Sequence, residues 1–409
     1  MNSAGGVFGQ VAPGYERVRQ AFSQNFTDRG ELGAACAIFH RGEKVVDLWG
    51  GVADKENRAP WREDTLVLVY SLTKGMTALA CAVAVSRGLF RYDTPVIQIW
   101  PEFAARGKQA VTVRELLSEQ AGLAAMDIEL TLENMADQDL LAGALARQAP
   151  NWTPGHHSGN HAYTLGWLGC ELIRRTDRQR RSLGRFFAEE LARPLGAEFY
   201  IGLPATVPAS RLARIDGFRP YQMLLHLGTL PPLMVLAMLW PWSLTARALN
   251  NPKLPGGPAD LDQPAHWAIE DGGAGGIGSA RALAAIYSEF ATGGKVLGLK
   301  PEVLDALAGA PVPPRRGIRD QVLKTDLSYW LGVEKAAADF DFDGSPQAFG
   351  TFALGGSFAF ADPARQVGYA YVTNKLGFYK WDDPREKAVR DAFVACAGPA
   401  PAPRGSPGA

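Results

Sequence analysis

The sequence has few of the features that mark secreted proteins. Only four of its 409 residues are cysteine, they are widely spaced, and no two of them form a C-x-x-C pair. This usage predicts buried free thiols in a reducing compartment rather than a disulfide framework. The N-terminal segment MNSAGGVFGQ has neither the basic nor the apolar region of a secretion signal. We therefore expect the protein in the cytoplasm.

An excess of charge of one sign is also lacking. The chain has 42 basic and 42 acidic residues, so its formal net charge is zero. No charged run provides the basic surface that nucleic acid requires, and we predict no nucleic-acid partner. With 47% hydrophobic residues, the chain has the composition of an ordinary globular protein with a large core. A small, weakly charged substrate fits this neutrality.

Long uninterrupted hydrophobic runs are missing as well. The most apolar stretch, YQMLLHLGTLPPLMVLAMLWPW at residues 221–242, is interrupted by prolines. Its longest unbroken part, residues 233–240, is far shorter than the roughly 20 residues that span a bilayer. We predict that residues 220–250 form an apolar lid over a pocket, in which Leu236 and Leu239 set the acyl-chain preference. Peripheral membrane contact is the alternative.

The hydrophobic pattern changes character along the chain. Residues 33–51 are typical of two strands, residues 113–197 are mainly helical, and the segments after residue 323 are typical of strands followed by a closing helix. We expect the strand-rich ends to pair with each other, with a helical region inserted between them.

The strongest chemical signal is YSLTKGMTAL, residues 70–79. Ser71 and Lys74 are three residues apart, so a helix places them on one face, where a lysine can activate a serine nucleophile. The helix is apolar through ALACAVAVSRGLF and is therefore predicted to be buried. Its N-terminal N–H groups favour a developing oxyanion. Burial and the helix dipole are expected to lower the pKa of Lys74, so that its neutral amine takes the Ser71 proton.

Two other motifs are interpreted as structural. GAGGIG at residues 273–278 matches a dinucleotide-binding pattern, but no clear strand precedes it and no acidic residue follows at the required distance. We predict a loop that ends at a helix-capping Ser279. His157 and His161 have a possible metal-ligand spacing, but no third ligand follows, so we predict neither a metal site nor a cofactor. His161 is expected to line the active site or cap the next helix.

Several segments together resemble a known family. They are VVDLWGGVAD, PWREDTLVLVYSLTKG, GKQAVTVRELLSEQAGL, RSLGRFFAEELARPLGAEFYIGLP and GGSFAFADP. They resemble the β-lactamase-related serine hydrolases, which include class C β-lactamases, D,D-peptidases and, most similar here, the family VIII carboxylesterases. The resemblance implies an α/β (α+β) fold of the serine β-lactamase/transpeptidase type, with an antiparallel sheet flanked by helices plus a helical domain. It also implies that Ser71 forms an acyl-enzyme with Lys74 as its base partner.

The resemblance implies a single β-lactamase-related domain over residues 1–398. Its sheet-containing part is expected at about residues 10–70 and 280–398, and its helical part, with the lid, at about residues 71–279. The proline-rich end, residues 399–409, is predicted to be a disordered tail.

The second motif of the family is altered in PGHHSGNHAYTLGWLG. Similar esterases have a tyrosine that shares the base role with the lysine, and Asn160 stands at its position. An amide has no proton to exchange near neutral pH. The alternative is that SGN is the second motif and that Ser158 supplies the hydroxyl, which requires a two-residue shift of the loop.

Three further positions depart from the family. In FGTFALGGS, Thr351 replaces a histidine and Ala353 replaces a glycine. We still expect the backbone N–H of Leu354 to be the second oxyanion donor, with Thr351 as a hydrogen-bond donor. Glu119 replaces a histidine in LLSEQAGL and is expected to be structural.

Three functions remain open at this stage. The first is a serine acyl hydrolase, similar to an esterase, that acts on a small neutral ester or amide. The second is an acyltransferase or another natural-product enzyme on the same scaffold, because loss of the tyrosine should impair activation of water most. The third is a non-catalytic descendant that binds a ligand. The intact Ser71–Lys74 pair favours the first two.

Overall fold

Strands from both ends of the chain form one sheet in the computed structural model, which describes residues 6–398. The predicted tail, residues 399–409, lies outside the described residues. The strands are β1 Val7–Val11, β2 Gly33–His40, β3 Glu43–Asp54, β4 Ala59–Pro60, β5 Val67–Leu68, β6 Phe199–Tyr200, β7 Ile277–Gly278, β8 Ser328–Trp330, β9 Val333–Lys335, β10 Phe349–Phe352, β11 Phe358–Asp362 and β12 Val367–Thr373.

Most helices lie between β5 and β8 in the sequence. They are α1 Glu16–Asp28, α2 Leu72–Ser86, α3 Val113–Leu117, α4 Leu132–Ala136, α5 Gln138–Arg147, α6 Thr164–Thr176, α7 Leu183–Phe187, α8 Arg193–Leu195, α9 Pro232–Met238, α10 Leu244–Leu249, α11 Pro264–Trp267, α12 Ala280–Ala291, α13 Pro301–Ala308 and α14 Pro384–Ala397. A π-helical segment, Ala188–Ala192, joins α7 to α8. The 3₁₀ segments are Val96–Gln98, Pro101–Gly107, Ala209–Arg211, Pro220–Thr229 and Pro258–Leu261.

The large sheet is antiparallel throughout and joins the two ends of the chain. Its strand order is β1-β3-β2-β12-β11-β10-β9-β8, and β4 pairs with β3. At the centre, β2 pairs with β12, so that Ala34 lies opposite Thr373 and His40 lies opposite Val367. The expected pairing of the strand-rich ends is therefore present. The predicted fold class, an antiparallel sheet flanked by helices, is confirmed.

Side-chain alternation along the strands gives the sheet two buried faces. On one face, Tyr371 packs in a cluster with Phe22 of α1 and Phe393 of α14. On the other face, α12 packs so closely that a Cβ on Gly368 would lie 2.3 Å from the carbonyl oxygen of Ala284. Glycine at this point of β12 lets α12 approach the sheet.

Helix α2 is buried on nearly all sides, as its uniformly apolar sequence predicts. It packs against α6, α7 and β10. A small sheet with the order β5-β7-β6 fixes the start of the helix, because β5 ends at Leu68, just before Ser71. The Val69 N–H donates to the Gly276 carbonyl oxygen at 2.9 Å and holds the connecting segment in place.

The GAGGIG segment has a structural role at the same place. The Gly276 N–H donates to Thr73 Oγ1 at 2.8 Å. A Cβ on Gly276 would lie 2.5 Å from that oxygen, so the backbones can meet only at a glycine. Ser279 Oγ accepts from the Ala282 N–H at 3.1 Å and caps α12, as predicted. The segment anchors α2 and begins α12.

The cysteines and the apolar helices are as follows in the structure. All four cysteines are free thiols, and Cys36, Cys81 and Cys170 are buried, whereas Cys396 is only half-buried. Between residues 6 and 398, the structure contains no helix with both the length and the apolar character needed to cross a bilayer.

Candidate active site

Ser71 lies at the N-terminal end of α2, directly after a residue in a strained conformation. Tyr70 has a φ of 46°, in the left-handed region that costs a non-glycine residue about 1–3 kcal/mol. The buried Tyr70 ring stabilises this conformation, and its hydroxyl donates to the Pro258 carbonyl oxygen at 3.1 Å. Such outliers concentrate at functional sites. The turn leaves the Ser71 side chain half-buried at a cavity wall.

The cavity has a volume of about 500 Å³, and four of the predicted site residues line it. They are Ser71, Lys74, Asn160 and Leu354. A volume of this size is enough for a small organic substrate. Its walls are largely apolar, with Phe218, Leu249, Phe352 and Phe378 among the contributing side chains.

The Lys74 ammonium group is enclosed by acceptors. Its Nζ lies 3.1 Å from Glu119 Oε1, 2.9 Å from Asn160 Oδ1 and 3.7 Å from Glu334 Oε1. These hydrogen bonds go to Glu119 and Asn160 rather than to Ser71. The expectation of a neutral, low-pKa lysine is wrong. Burial alone would lower the pKa of Lys74, but the Glu119 and Glu334 carboxylates outweigh it and raise the pKa.

Glu119 is therefore part of the charged cluster, and the structural role expected for it includes a direct contact with Lys74. It sits just after α3 with a φ of 56°, which turns its side chain towards Lys74. Its second oxygen, Oε2, accepts from the His161 N–H at 2.9 Å. Both carboxyl oxygens are thus fixed, and Glu119 orients Lys74.

Glu334 is the second carboxylate on Lys74. It lies on β9, its side chain is almost fully buried, and its Oε2 has no hydrogen-bond partner among the described residues. Burial raises the pKa of Glu334 to about 7, although Lys74 opposes that shift. A buried carboxyl group with a pKa near neutrality exchanges its proton in the working range of most enzymes.

Asn160 lies where the family resemblance places the missing tyrosine. Its Oδ1 accepts from Lys74, and its backbone N–H donates to Asp320 Oδ2 at 2.9 Å. Tyr329 Oη donates to the same Asp320 oxygen at 2.5 Å. This network fixes the Asn160 loop against the strand-rich part of the chain.

Two predicted site residues of the same loop, Ser158 and His161, do not line the cavity. Ser158 is buried, its hydroxyl has no partner among residues 6–398, and its backbone bridges to Asp320. The arrangement favours Asn160 over Ser158 as the residue beside Lys74.

The predicted position of the His161 side chain is wrong, since it neither lines the site nor caps the next helix. Its Nε2 accepts from the Leu123 N–H at 3.0 Å, and its Nδ1 lies 2.6 Å from the Gly159 carbonyl oxygen. These contacts are those of a neutral imidazole that donates from Nδ1. Burial lowers the pKa of His161 to about 4, which fits the neutral form. Its side chain thus fastens the Asn160 loop to the segment after α3.

The β10 segment places Thr351 and Leu354 differently. Thr351 is fully buried behind the cavity, and its hydroxyl interacts with Glu334 and lies 3.4 Å from Tyr287 Oη. Leu354 lies in the turn after β10 and lines the cavity. The N–H groups of Leu354 and Ser71 donate to no other described residue, whereas the Lys74 N–H bonds to the Ser71 carbonyl oxygen at 3.0 Å. Both residues line the cavity, so their N–H groups remain the candidate oxyanion donors.

The apolar insertion, residues 220–250, lines part of the cavity, but through side chains other than the predicted Leu236 and Leu239. Met234 and Met238 of α9 line it, together with Leu230. Leu236 and Leu239 point away from it, with 63% and 67% of their surface exposed. The expectation that these two leucines set the acyl-chain preference is wrong, because residues on opposite faces of one helix cannot all face the pocket.

Sequence reasoning missed Glu334 and Lys380. Lys380 lines the cavity, and its Nζ is buried without a hydrogen-bond partner among the described residues. It lies 4.0 Å from the centre of the Trp381 ring. A signal for Glu334 existed, since a charged residue within the otherwise apolar SYWLGVE is unusual for a buried strand. Lys380 had no comparable signal.

The described residues include no group of three or more His, Cys, Asp or Glu side chains that could hold a metal ion.

A buried S-x-x-K helix beside a central antiparallel sheet defines the serine β-lactamase/transpeptidase class. A family model described as Beta-lactamase matches residues 18–392. The Esterase/beta-lactamase LipL of Mycobacterium tuberculosis (strain ATCC 25618 / H37Rv) is 32% identical over 381 residues, which cover 90% of this chain and 83% of that protein. The chain belongs to the β-lactamase family.

Solved structures agree with this assignment. A family VIII carboxylesterase superimposes with a TM-score of 0.83 at 34% identity, covering 96% of this chain and 100% of that chain. A penicillin-binding protein homologue from Caulobacter crescentus gives a TM-score of 0.81 at 35% identity, with the same coverage of 96% and 100%. EstA from Arthrobacter nitroguajacolicus Rue61a gives 0.79 at 30% identity and covers 95% of this chain and 99% of that chain.

Proposed function

We propose that the protein is a serine acyl hydrolase that forms an acyl-enzyme on Ser71 and hydrolyses a small, largely apolar ester. The observation that carries this proposal is the position of Ser71. Its hydroxyl opens onto a cavity that Lys74, Asn160 and the Leu354 turn also line. The esterase and carboxylesterase names of the relatives support the same chemistry.

The chemistry follows from the groups at the cavity wall. Ser71 Oγ attacks the carbonyl carbon of the ester, and the carbonyl oxygen becomes an oxyanion. The N–H groups of Ser71 and Leu354 are the candidate donors to that oxygen, each worth about 3–4 kcal/mol in comparable sites. The alcohol leaves with a proton, and water later attacks the acyl-enzyme and releases the acid.

Covalent labelling tests this assignment. The native protein is incubated with an alkyl fluorophosphonate, its intact mass is measured, and the labelled peptide is sequenced. We expect one adduct, located on Ser71, and none on Ser71→Ala. Ser158→Ala is the matched serine variant and should label normally, whereas loss of its label would restore the shifted register. A folded native protein that takes up no label would favour the ligand-binding alternative.

Acyl transfer is the second candidate, and Asn160 is the observation that favours it. Its amide oxygen only accepts a hydrogen bond from Lys74, so it cannot relay a proton from water. An amine or alcohol acceptor that enters the apolar cavity is less dependent on such help. The ratio of transfer to hydrolysis products, measured with increasing 1-butanol, distinguishes the two activities. A ratio that does not respond to butanol would reject acyl transfer.

The outer face of the insertion supports peripheral membrane contact in addition. Its large side chains are more than half exposed, namely Leu233, Leu236, Leu239, Trp240 and Trp242. Tryptophan and leucine on one exposed face are typical of segments that lie at a membrane surface. Sedimentation with phosphatidylcholine vesicles tests this, with the double variant Trp240→Ser/Trp242→Ser as the comparison. Equal sedimentation of both proteins would reject it.

The free cysteines support the cytoplasm as the expected location.

A further inference from the structure

The acylation step leaves one question open, which is where the Ser71 proton goes. Lys74 is the nearest basic side chain in the sequence pattern, but the structure surrounds it with two carboxylates. A protonated amine cannot accept a proton. Tyr70 and Tyr163 also line the cavity, but burial raises the pKa of both phenols, so neither acts as a base near neutral pH.

The donor geometry of Lys74 indicates an answer. An ammonium group has three N–H donors. Glu119 and Asn160 take two of them, at 3.1 Å and 2.9 Å. The third has no acceptor within hydrogen-bonding distance among the described residues, and the remaining carboxylate beside the amine is Glu334, whose Oε1 lies 3.7 Å away as an ion-pair partner. When that proton moves to Glu334, Lys74 keeps its other two hydrogen bonds and has a free lone pair.

The two carboxylates differ in their ability to take this proton. Both oxygens of Glu119 are hydrogen-bonded, to Lys74 and to the His161 N–H, which stabilises its anion. Glu334 Oε2 is buried and has no partner in the described part of the chain. The Thr351 hydroxyl stabilises the Glu334 anion in part, but a buried carboxylate with one unpaired oxygen is the less stable anion of the two, so Glu334 is the better proton acceptor.

The charge balance of the cluster points the same way. One lysine and two glutamates are all nearly fully buried, so the fully ionised cluster has a net charge of −1. A buried ion pair is offset by the cost of removing both charges from water, which brings the neutral lysine–carboxylic acid pair close to it in free energy. Proton transfer between Lys74 and Glu334 is therefore accessible at 25 °C.

We propose that Glu334 is the proton store of the acylation step and acts through Lys74 as a proton relay. Lys74 passes its third proton to a Glu334 oxygen and becomes neutral. Ser71 Oγ then bonds to the carbonyl carbon while its proton moves to Lys74 Nζ. When the carbon–oxygen bond to the leaving group breaks, the leaving oxygen takes a proton from Lys74, and Glu334 returns its proton to the amine. The relay rests on the proposed acyl-enzyme function.

Other charged and polar groups face Glu334 from each neighbouring element. They are Lys74 on α2, Glu119 after α3, Tyr287 on α12, Tyr329 on β8 and Thr351 on β10. Asp320, before β8, faces Lys74 and Tyr329. Burial raises the pKa of Tyr287 and of Tyr329 above the usual range of a phenol, so both phenols stay neutral near pH 7. Burial raises the pKa of all three carboxyl groups, Glu119, Asp320 and Glu334, and brings that of Glu334 to about 7. Both oxygens of Glu119 and of Asp320 accept hydrogen bonds, whereas Glu334 Oε2 has no partner in the described part of the chain, so the relay assigns the titration to Glu334. It must be ionised to receive the proton, so acylation should rise with pH through that value and then level.

The rate of Ser71 labelling by a fluorophosphonate, followed by intact mass from pH 5 to pH 9, tests the relay without involving deacylation. In Glu334→Gln we expect the rate at pH 8 to fall by ~10²-fold or more, because proton-transfer help typically contributes ~10²–10⁴-fold. We also expect the rise near pH 7 to disappear. Glu289→Gln removes another buried carboxylate, which lies on α12 away from the cavity and accepts from the Leu297 N–H. Its profile should match the native one.

Three outcomes would overturn the relay. If the labelling rate of Glu334→Gln still rises with pH near pH 7, the relay is wrong, but the acyl-enzyme proposal stands. If the rise of the labelling rate near pH 7 is lost in Lys380→Met but kept in Glu334→Gln, the titrating group is Lys380 and the relay is again wrong. No labelling of the native protein at any pH overturns the acyl-enzyme proposal, and the relay with it. If Glu334→Gln does not fold, Glu334→Asp is measured instead. A shorter carboxylate should keep the rise of the labelling rate with pH but shift the pH of its midpoint. An unchanged midpoint contradicts the proposal.

Discussion

Replacing Lys380 with methionine should stabilise the protein at neutral pH. The Lys380 amine is buried at the cavity wall, and within residues 6–398 no acceptor lies within hydrogen-bonding distance of it. Burial lowers its pKa to about 7, although Asp320 and Asp339 oppose that shift. Methionine keeps most of the length of the side chain, removes the buried amine and packs well in irregular apolar surroundings.

The magnitude and its pH dependence follow from the two pKa values. In the unfolded chain a lysine has a pKa of about 10.4, so the unfolded state binds more protons than the folded state between pH 7 and 10. The free energy of unfolding of the native protein therefore rises with pH in this window, by up to about 1.4 kcal/mol per pH unit. Below pH 7 the full cost remains, and the difference of about 3.4 pKa units sets it at about 4–5 kcal/mol. Lys380→Met removes both the cost and this part of the slope.

Urea unfolding at pH 7, 8 and 9, followed by tryptophan fluorescence, measures the effect. Lys253→Met is the matched control, because Lys253 also lines the cavity but is exposed and paired with Glu129 at 2.8 Å. Its pH slope should equal the native one. If Lys380→Met unfolds more easily than the native protein at pH 7, or if its slope between pH 7 and 9 is unchanged, the amine is not an unpaired buried group and the reasoning is wrong.

Two further predictions follow from the cavity and one from the packing of α2. Asn160→Tyr should raise steady-state hydrolysis of p-nitrophenyl acetate by ~10²-fold, because a phenol beside Lys74 can relay a proton; an unchanged rate would show that water activation does not depend on this position. Met234→Ala should shift the preference between butyrate and octanoate esters in kcat/KM, whereas Leu236→Ser on the exposed face should not, and equal effects of the two would contradict their assigned orientations. Gly75→Ala should destabilise the protein by about 1–3 kcal/mol, because a Cβ there would lie 2.3 Å from a tyrosine hydroxyl and 2.6 Å from a threonine hydroxyl; an unchanged melting temperature would contradict that packing.

The sequence was sufficient for the fold because the signals for the fold are local or periodic. Apolar runs separated by turn residues predicted the strands at both ends of the chain, and their pairing through β2 and β12 is confirmed. The apolar run after Ser71 predicted a buried helix, and α2 is buried. The S-x-x-K pattern identified Ser71 and Lys74 because their spacing fits one turn of a helix.

The charge state of Lys74 could not be predicted in the same way. Burial and a helix terminus are visible in the sequence and argue for a lower pKa, but the carboxylates that raise it are far away along the chain. Glu119 follows α3, and Glu334 reaches Lys74 only because β9 packs against α2. The predicted position of the His161 side chain was wrong for a similar reason, since its orientation depends on a hydrogen bond from the Leu123 N–H. Local sequence therefore predicted where these side chains lie along the chain, whereas contacts with distant residues determine the pKa of Lys74 and the orientation of His161.

The position of β12 in the sheet has a consequence for the biosynthesis of the protein. The central strand pair joins residues 33–40 to residues 367–373, so one edge of β2 cannot be paired until almost the whole chain has been translated. At about 5–20 residues per second, that edge is open on the ribosome for some tens of seconds. Nascent chains should therefore need a chaperone during that interval. A messenger truncated before the codon for Val367 should give a product without the centre of the sheet and without esterase activity, even though it encodes Ser71, Lys74 and Glu334.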